Sequence, residues 1–290
     1  MTQPAPTRSH AMPTEHVLNP DDLKPDKYPR LAFDHDAWAW FIAACKDLEL
    51  TVDDEKRSRL EAIYSHLAGV NSWLNLTRLV SPLDYLKFHI FDSLTVCNLV
   101  EAYTAPGDIV LDLGSGGGYP GLPLMTWIPD RQWVLVDSRA RKAAFLQEAV
   151  KLTPCANPQA YAFRGREVAS QHPELHQQCQ MVTARAVGPA ADLLPDAVEL
   201  LAINGILMLL KGPAYPTKER DDFLHALPNY GFTLMEEHPL ALDENDPDRW
   251  VILALRSDDM TTAKAKHTAK IAKHHAKTKH PKPPSAKPRQ

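Results

Sequence analysis

The 290-residue chain contains one segment with a strong structural signal, Val110-Leu-Asp-Leu-Gly-Ser-Gly-Gly-Gly-Tyr-Pro-Gly-Leu-Pro123. An apolar run leads to Asp112 and then to a turn with four glycines in five residues. Gly114 and Gly116 let the backbone bend and approach a ligand where a Cβ would collide. The amides at the start of a following helix would face that ligand. The segment therefore predicts a strand, a glycine-rich turn and a helix, with a binding site at the turn.

Other short apolar runs surround this segment and indicate an α/β protein. Together with the first, they lie at 108–113, 132–136, 157–163, 179–184, 205–210, 231–240 and 249–255. The first five are separated by stretches long enough for one helix each, a pattern typical of a parallel sheet covered on both faces. The last two are too close for a helix and predict a hairpin at one edge. We expect a Rossmann-like fold with a mixed seven-stranded sheet, helices on both faces and an N-terminal helical extension.

The apolar spacing upstream of the glycine segment is helical. Apolar residues recur every three or four positions between residues 36 and 101, with Asp53 and Ser81 as candidate N-caps. The composition divides the chain into four parts: a disordered N-terminal extension at 1–30, a helical region at 31–104, the core domain at 105–256 and a disordered basic tail at 257–290.

The composition excludes several classes of protein. No apolar run reaches the roughly 18 residues of a membrane span, and no secretory signal is visible. The four cysteines are far apart in the sequence, which argues against a disulfide framework or a structural zinc site. We expect a cytoplasmic monomer that binds neither a membrane nor a metal. The chain carries a net charge of −4, yet residues 261–290 carry +9, which leaves −13 for residues 1–260.

A glycine-rich turn of this kind can bind NAD, another nucleotide or S-adenosylmethionine, and two acidic residues favour the last. Asp112 lies two residues before the first glycine, where its carboxylate would attract a cationic amino group and repel a pyrophosphate. Asp137 ends the run QWVLVD, 23 residues after Gly114, where an acid can accept hydrogen bonds from a ribose diol. NAD-binding enzymes share the second feature but seldom the first.

The chain resembles the bacterial small-subunit rRNA guanine-N7 methyltransferases, known as RsmG or GidB, over about residues 55–256. The resemblance rests on three motifs and several shorter matches. The motifs are Asn75-Leu76-Thr77, His89-Ile-Phe-Asp92-Ser93 and Asp112-x-Gly114-x-Gly116-x-Gly118-x-Pro120-Gly121-x-Pro123, and the shorter matches are Asp137-Ser138, Arg141, Phe145-Leu146, Arg166, Arg185-Ala186 and Lys211-Gly212.

The resemblance implies transfer of a methyl group from S-adenosylmethionine to N7 of a guanine in the 530 loop of 16S rRNA, at conventional position 527. Where the family reads Arg, any residue, Glu, this sequence reads Arg166-Glu167-Val168. Together, the glycine segment and the resemblance predict these cofactor contacts: Asp112, Gly114, Gly116, Gly118, Tyr119, Asp137, Ser138, Glu167, Val168 and Arg185.

The chemistry of guanine N7 requires no general base, because this atom presents a lone pair and carries no proton at neutral pH. The protein must instead hold N7, the sulfur and the methyl group in line. We therefore expect no catalytic base, and Arg166 and Arg185 are candidate positioning residues. The expected substrate-binding residues are Asn75, Thr77, His89, Asp92, Ser93, Arg166 and Lys211.

Structural alternatives remain open for several of these residues. Asn75 and Thr77 also suit a helix-terminating turn. The cluster of His89, Asp92 and Ser93 also suits an internal hydrogen-bonded contact between the helical region and the sheet. For Arg166, the alternative is a salt bridge to a helix.

The basic tail at 261–290 suits an electrostatic tether to 16S rRNA or to the small ribosomal subunit, because the acidic body would otherwise repel phosphate. Two other functions remain open from the sequence. One is a methyltransferase for a different substrate, and the other is a non-catalytic assembly factor that binds S-adenosylmethionine and RNA.

Overall fold

The computed structural model describes residues 19–240 and 249–257. The predictions for residues 1–18 and for the basic tail from residue 258 onward lie outside these ranges. Within the described ranges no helix is long and apolar enough to cross a membrane.

Seven strands form one mixed sheet, as predicted. They are β1 (Ile109–Leu113), β2 (Gln132–Val136), β3 (Gln159–Tyr161), β4 (Cys179–Arg185), β5 (Leu201–Lys211), β6 (Phe232–Leu240) and β7 (Arg249–Arg256). Their order across the sheet is β3-β2-β1-β4-β5-β7-β6. Strands β1 to β5 are parallel, and β7 runs antiparallel between β5 and β6. The predicted edge hairpin is therefore confirmed, with β6 at the edge.

Eleven helices are described around this sheet. They are α1 (His35–Asp47), α2 (Asp54–Leu74), α3 (Pro82–Tyr85), α4 (Asp92–Leu94), α5 (Cys97–Tyr103), α6 (Gly121–Trp127), α7 (Ala140–Ala149), α8 (Val168–Gln171), α9 (Leu194–Leu200), α10 (Tyr215–Lys218) and α11 (Arg220–Ala226). The predicted N-caps form: the side chain of Asp53 accepts a hydrogen bond from the Lys56 amide at α2, and Ser81 accepts from the Asp84 amide at α3.

The central strands are buried on both faces, which explains their nearly continuous apolar sequences. In β1 and β4, Val110 and Met181 enter a core shared with the N-terminal helices. Their neighbours Leu111 and Val182 enter a second core with helices α8 to α11. The N-terminal helices thus complete one face of the sheet, and the fold is the expected Rossmann-like arrangement.

Between α3 and α4 the chain forms a π-helical turn, Leu86–Phe91, inside the region where the apolar spacing predicts regular helix. The wider turn carries His89, and Asp92 follows directly. Such turns are often found at functional sites.

The expectation of disorder at residues 1–30 is wrong for residues 19–30. This segment forms two 3-10 turns, of which Pro20–Leu23 lies against α7 and Pro25–Lys27 lies against α2. Leu23 is buried, and the ring of Tyr28 lies so close to Gly69 that a methyl group at Gly69 would overlap it. The proline-rich composition misled the prediction, because these two apolar anchors dock the segment.

Candidate functional site

Two adjoining cavities open at the carboxyl ends of the parallel strands. The first has a volume of about 400 Å³ and lies beside the glycine-rich turn. The second has a volume of about 730 Å³ and lies against the ends of β5 and β7. His89, Arg185 and Ala186 line both cavities. The connection from β1 to β2 and the connection from β3 to β4 lead to opposite sides of β1, and open α/β sheets bind their ligands at such a point.

The glycine-rich turn forms one wall of the first cavity. Gly114 has a φ of +71°, and a Cβ placed on it would lie 2.6 Å from Cγ2 of Val187. Gly116 has a φ of +61°, a left-handed conformation that glycine adopts without strain. Gly114, Gly116 and Val187 all line the cavity, so a side chain at Gly114 would collide with the opposite wall. The turn is therefore a cradle that only glycine can form.

Asp112 lies inside the protein, which corrects the expectation that it reaches a cofactor. Its carboxylate is fully buried and accepts hydrogen bonds from the hydroxyls of Ser115 and Thr183 and from the amide of Gly121. Burial raises its pKa to about 6, and these hydrogen bonds oppose the rise. Asp112 thus fastens the glycine-rich turn to β4 and to the start of α6.

Asp137 follows β2 and lines the first cavity, as does Ser138. One carboxylate oxygen of Asp137 accepts a hydrogen bond from the Gly116 amide at 3.1 Å, and the other accepts from the Arg139 amide at 2.8 Å. A carboxylate has about four acceptor positions, so each oxygen retains capacity for a ligand. The side chains of Arg139 and Lys142 bring positive charge to the same end of the cavity.

Arg185, the last residue of β4, lies at the junction of the two cavities and is held from several sides. Nη1 donates to Oδ2 of Asp92 at 2.6 Å and to the carbonyl of Phe88 at 3.0 Å, and Nη2 lies 3.3 Å from Nδ1 of His89. The guanidinium also lies 5.2 Å from the ring centre of Tyr119. Asp92 has a second cation, Arg249, whose Nε lies 3.6 Å from Oδ1.

His89 connects Arg185 to the loop after α2. Its Nε2 lies 2.8 Å from Oγ1 of Thr77, and its ring stacks on Tyr119 with centroids 4.7 Å apart. Burial and the nearby Arg185 lower the pKa of His89 to about 3, against a smaller opposing effect of the Leu79 backbone. His89 is therefore a neutral imidazole at physiological pH.

The two tyrosines behind the junction are also neutral. Tyr85 and Tyr119 are buried and their hydroxyls hydrogen-bond to each other. Burial raises the pKa of both phenols above the ordinary value. Neither tyrosine can act as a base near neutral pH.

The second cavity has both charged and aromatic walls. Lys211 ends β5, and its Nζ lies 2.6 Å from Oε2 of Glu219 and donates to the carbonyl of Gly188. Phe88 and Trp250 line the same cavity. Lys211 is thus already paired on the cavity wall.

Two expected cofactor residues, Glu167 and Val168, line neither cavity. The carboxylate of Glu167 accepts hydrogen bonds from the Arg164 amide at 2.9 Å and from the Gln171 side chain at 3.2 Å, so it caps a helical turn. Val168 is fully buried in the second core. Gly118, with a φ of +98°, lies against Leu122 and also lines neither cavity.

Three expected substrate residues have structural contacts instead. Arg166 forms an ion pair with Asp196 of α9 at 2.9 Å, which is the salt-bridge alternative. Asn75 ends α2 in the left-handed conformation, with a φ of 53°. The hydroxyl of Ser93 donates to the backbone carbonyl of His89. None of the three lines the two cavities.

The site also contains residues that sequence reasoning missed. Arg139, Lys142, Arg249 and Trp250 line the cavities, and Asn71 shapes the loop that carries Thr77. Asn71 had a usable signal, because an asparagine in the last turn of a helix often bonds the chain that leaves it. Arg249 and Trp250 had no such signal, because the sequence predicts their strand only as part of an edge hairpin.

The part of the chain that the structure describes contains no group of three or more His, Cys, Asp or Glu residues that could hold a metal ion. The expectation that the chain binds no metal stays a prediction.

Comparison with known proteins identifies the family of this chain. The model of a family described as rRNA small subunit methyltransferase G (GidB) matches residues 56–224, which is more than half of the chain. This chain belongs to that family. The matched residues include the glycine-rich turn, Asp137 and Arg185.

Curated relatives carry the same description. A Ribosomal RNA small subunit methyltransferase G from Leuconostoc citreum is 28% identical over 71% of this chain and 85% of its own length. The protein of that name from Sorangium cellulosum is 34% identical over 56% of this chain and 67% of its own. The one from Coxiella burnetii is 31% identical over 59% and 79%. The family match confirms the expected family, whose methyl donor is S-adenosylmethionine. The seven-stranded mixed sheet confirms the expected fold class.

Proposed function

We propose that this chain transfers a methyl group from S-adenosylmethionine to N7 of a guanine in the 530 loop of 16S rRNA, at conventional position 527. The observation that carries the proposal is a junction between two cavities at which His89, Tyr85 and Tyr119 are buried and neutral and Asp92 is paired with Arg185. Family membership supports the choice of ribosomal RNA as substrate.

The first cavity fits the cofactor. Its volume of about 400 Å³ lies in the usual range for small-molecule sites, about 300–1,000 Å³. The cradle at Gly114 leaves room that a Cβ would take. Asp137 has acceptor capacity for a ribose diol, and Ser138 and Tyr119 complete the wall. Bound there, the cofactor supplies an electrophilic methyl group on a sulfonium.

The second cavity would take the target nucleotide. It shares the wall of His89, Arg185 and Ala186 with the first cavity, so a base in it can reach the methyl group. Phe88 and Trp250 offer surfaces for an unstacked base. Arg185 and Lys211 bring positive charge toward the phosphates, although each is already paired with a carboxylate.

The electrostatics of the junction favour N7 over an exocyclic amine or a hydroxyl. An amine or a hydroxyl must lose a proton during methylation, whereas N7 has none to lose. His89 has a pKa of about 3, the pKa values of both tyrosines are raised, and Asp92 is held in its ion pair with Arg185. The residues at the junction therefore position the reactants and do not accept a proton.

The proposal is tested by mapping 16S rRNA from cells with and without the gene by nucleoside mass spectrometry. We expect N7-methylguanosine in the 530 loop only when the gene is present. We expect Asp137→Ala to remove it, because the ribose contact is lost, and Arg185→Ala to reduce it strongly. An unmodified site in cells with an intact gene, or full modification with Asp137→Ala, contradicts the proposal.

A further inference from the structure

The loop after α2 presents a hydroxyl group with a defined direction to the first cavity. Thr77 lies on this loop and lines the cavity. Its Oγ1 accepts a hydrogen bond from the Leu79 amide at 3.0 Å and lies 2.8 Å from Nε2 of His89. The direction of the Thr77 hydroxyl proton depends on which partner donates in this last contact.

The partners of His89 determine which ring nitrogen carries its proton. Arginine has donors only, so Nη2 of Arg185 must donate to Nδ1 of His89. The single proton of the neutral imidazole is therefore on Nε2, which donates to Oγ1 of Thr77. A hydroxyl has two acceptor positions and one donor, and both acceptor positions of Thr77 are now used. Its proton must go to another acceptor, and no residue in the described ranges is seen to take it.

The result is a directed chain of hydrogen bonds from Arg185 through His89 to Thr77. Asp92 and the carbonyl of Phe88 hold Arg185 at its start. Because each bond in such a chain polarises the next, the hydroxyl at its end is a better donor than an isolated threonine. The Thr77 hydroxyl thus needs an acceptor that a ligand in the first cavity would supply.

The position of this end along the sheet indicates which part of a ligand it meets. Asp137 follows β2 and Arg185 ends β4, with β1 between them, so the two ends of the cavity are roughly 10 Å apart. Asp137 is the one carboxylate among the described residues that line this cavity, and it is at the far end. The Thr77 end combines a hydroxyl donor with two arginines, Arg185 and Arg249, that share the single carboxylate of Asp92. This arrangement suits an anionic acceptor and not an ammonium group.

We propose that the Thr77 hydroxyl binds the α-carboxylate of S-adenosylmethionine and so orients the amino-acid part of the cofactor. This inference rests on the proposed function, because it takes Asp137 as the ribose site. It makes Thr77 and His89 positioning residues for the cofactor, whereas the sequence placed both among substrate contacts.

The test compares two ligands that differ only in the carboxylate, S-adenosylhomocysteine and S-adenosyl-3-thiopropylamine, by isothermal titration calorimetry on the full chain. We expect Thr77→Val to lower the affinity for S-adenosylhomocysteine by at least about tenfold, the effect of a lost hydrogen bond to a charged group. The affinity for the decarboxylated ligand should stay the same. Thr77→Ser keeps the hydroxyl and should restore binding to within about threefold of the unaltered chain.

A matched control is Thr153→Val, because the Thr153 hydroxyl donates to the Val150 carbonyl away from both cavities. It should leave both affinities unchanged. If Thr77→Val lowers the affinity for both ligands by the same factor, Thr77 has only a structural role and the inference is overturned. The inference is also overturned if Thr77→Val leaves both affinities unchanged. If the unaltered chain binds neither ligand, the proposed function itself fails, and this is seen before any variant is compared.

Discussion

At the scale of single residues, the site depends on side chains whose partners are already defined before any ligand binds. Asp112 has three donors, Arg185 has Asp92 and the Phe88 carbonyl, and His89 has a partner at each ring nitrogen. Such preorganisation lowers the cost of binding, because the groups do not need to be ordered by the ligand.

The glycine cradle makes a prediction about Gly114→Ala. The new methyl group would meet Val187 at 2.6 Å, and the φ of +71° would add backbone strain. We expect at least a tenfold loss of S-adenosylhomocysteine affinity in calorimetry, on the order of 1.4 kcal/mol or more. Gly107→Ala is the control, since Gly107 has a φ of +86° in open space away from the cavities. It should lower thermal stability and leave affinity unchanged, and an equal loss of affinity in both variants would contradict the cradle.

The lowered pKa of His89 makes a prediction about pH. The unfolded chain binds a proton at this residue below about pH 6.5, whereas the folded chain does so only near pH 3. The free energy of unfolding should therefore fall as the pH drops through this window, by up to about 1.4 kcal/mol per pH unit from this group. Denaturant titrations of His89→Gln should show a shallower fall between pH 6 and 4 than the unaltered chain. Identical slopes would show that His89 is not held neutral.

At the scale of elements, the loop between α2 and α3 brings Thr77 to the site, and a side chain of α2 shapes it. Oδ1 of Asn71 accepts hydrogen bonds from the amides of Leu76 and Thr77 at 2.7 and 2.9 Å, and its amide donates to the Thr77 carbonyl. Asn75 ends α2 in the left-handed conformation. The π-helical turn then carries His89 to the same place.

The loop makes a prediction about Asn71→Ala, which leaves three backbone groups of the loop without their partner. We expect the free energy of unfolding to fall by about 1–3 kcal/mol in chemical denaturation. We also expect weaker binding of S-adenosylhomocysteine, because Thr77 loses its position. Ser72→Ala, next along the same helix and exposed, should change stability by no more than about 0.5 kcal/mol. Normal affinity of an Asn71→Ala protein for S-adenosylhomocysteine would show that the position of the loop does not affect binding at the site.

Much of the fold was predictable from the sequence, because local patterns carry it. The apolar runs predicted all seven strands, and the glycine turn and Asp137 predicted one wall of the first cavity. The direction of the Asp112 carboxylate was not predictable, since it depends on Thr183 in another strand. The same holds for the pairing of Arg185 with Asp92, which lie 93 positions apart in the sequence. Long-range hydrogen bonds of this kind produce no periodic pattern in the sequence.

At the scale of the whole molecule, charge is unevenly distributed between the body and the tail. Residues 1–260 carry −13 and residues 261–290 carry +9. An acidic body repels RNA, although Arg185, Lys211 and Arg249 bring positive charge to the second cavity. The tail lies outside the described residues, and its composition alone suggests a tether to phosphate.

Deletion of residues 261–290 should leave S-adenosylhomocysteine binding intact and weaken binding to 16S rRNA. The plot of log affinity against log salt should become shallower, because fewer counterions are released. A full-length variant with the eight tail lysines changed to glutamine should behave like the deletion, which separates charge from chain length. Filter-binding titrations between 50 and 200 mM salt provide the measurement. An unchanged salt dependence would rule out the tether.

The most direct test of the central claim is methyl transfer by the purified chain to small ribosomal subunits that lack the modification. With deuterium-labelled methyl on S-adenosylmethionine, mass spectrometry of the digested 16S rRNA identifies the nucleotide and the atom that receive the label. We predict one labelled methyl group per subunit, on N7 of the guanine at conventional position 527. A label on another atom or nucleotide would contradict this account. So would the absence of label in the RNA when the purified chain binds S-adenosylhomocysteine.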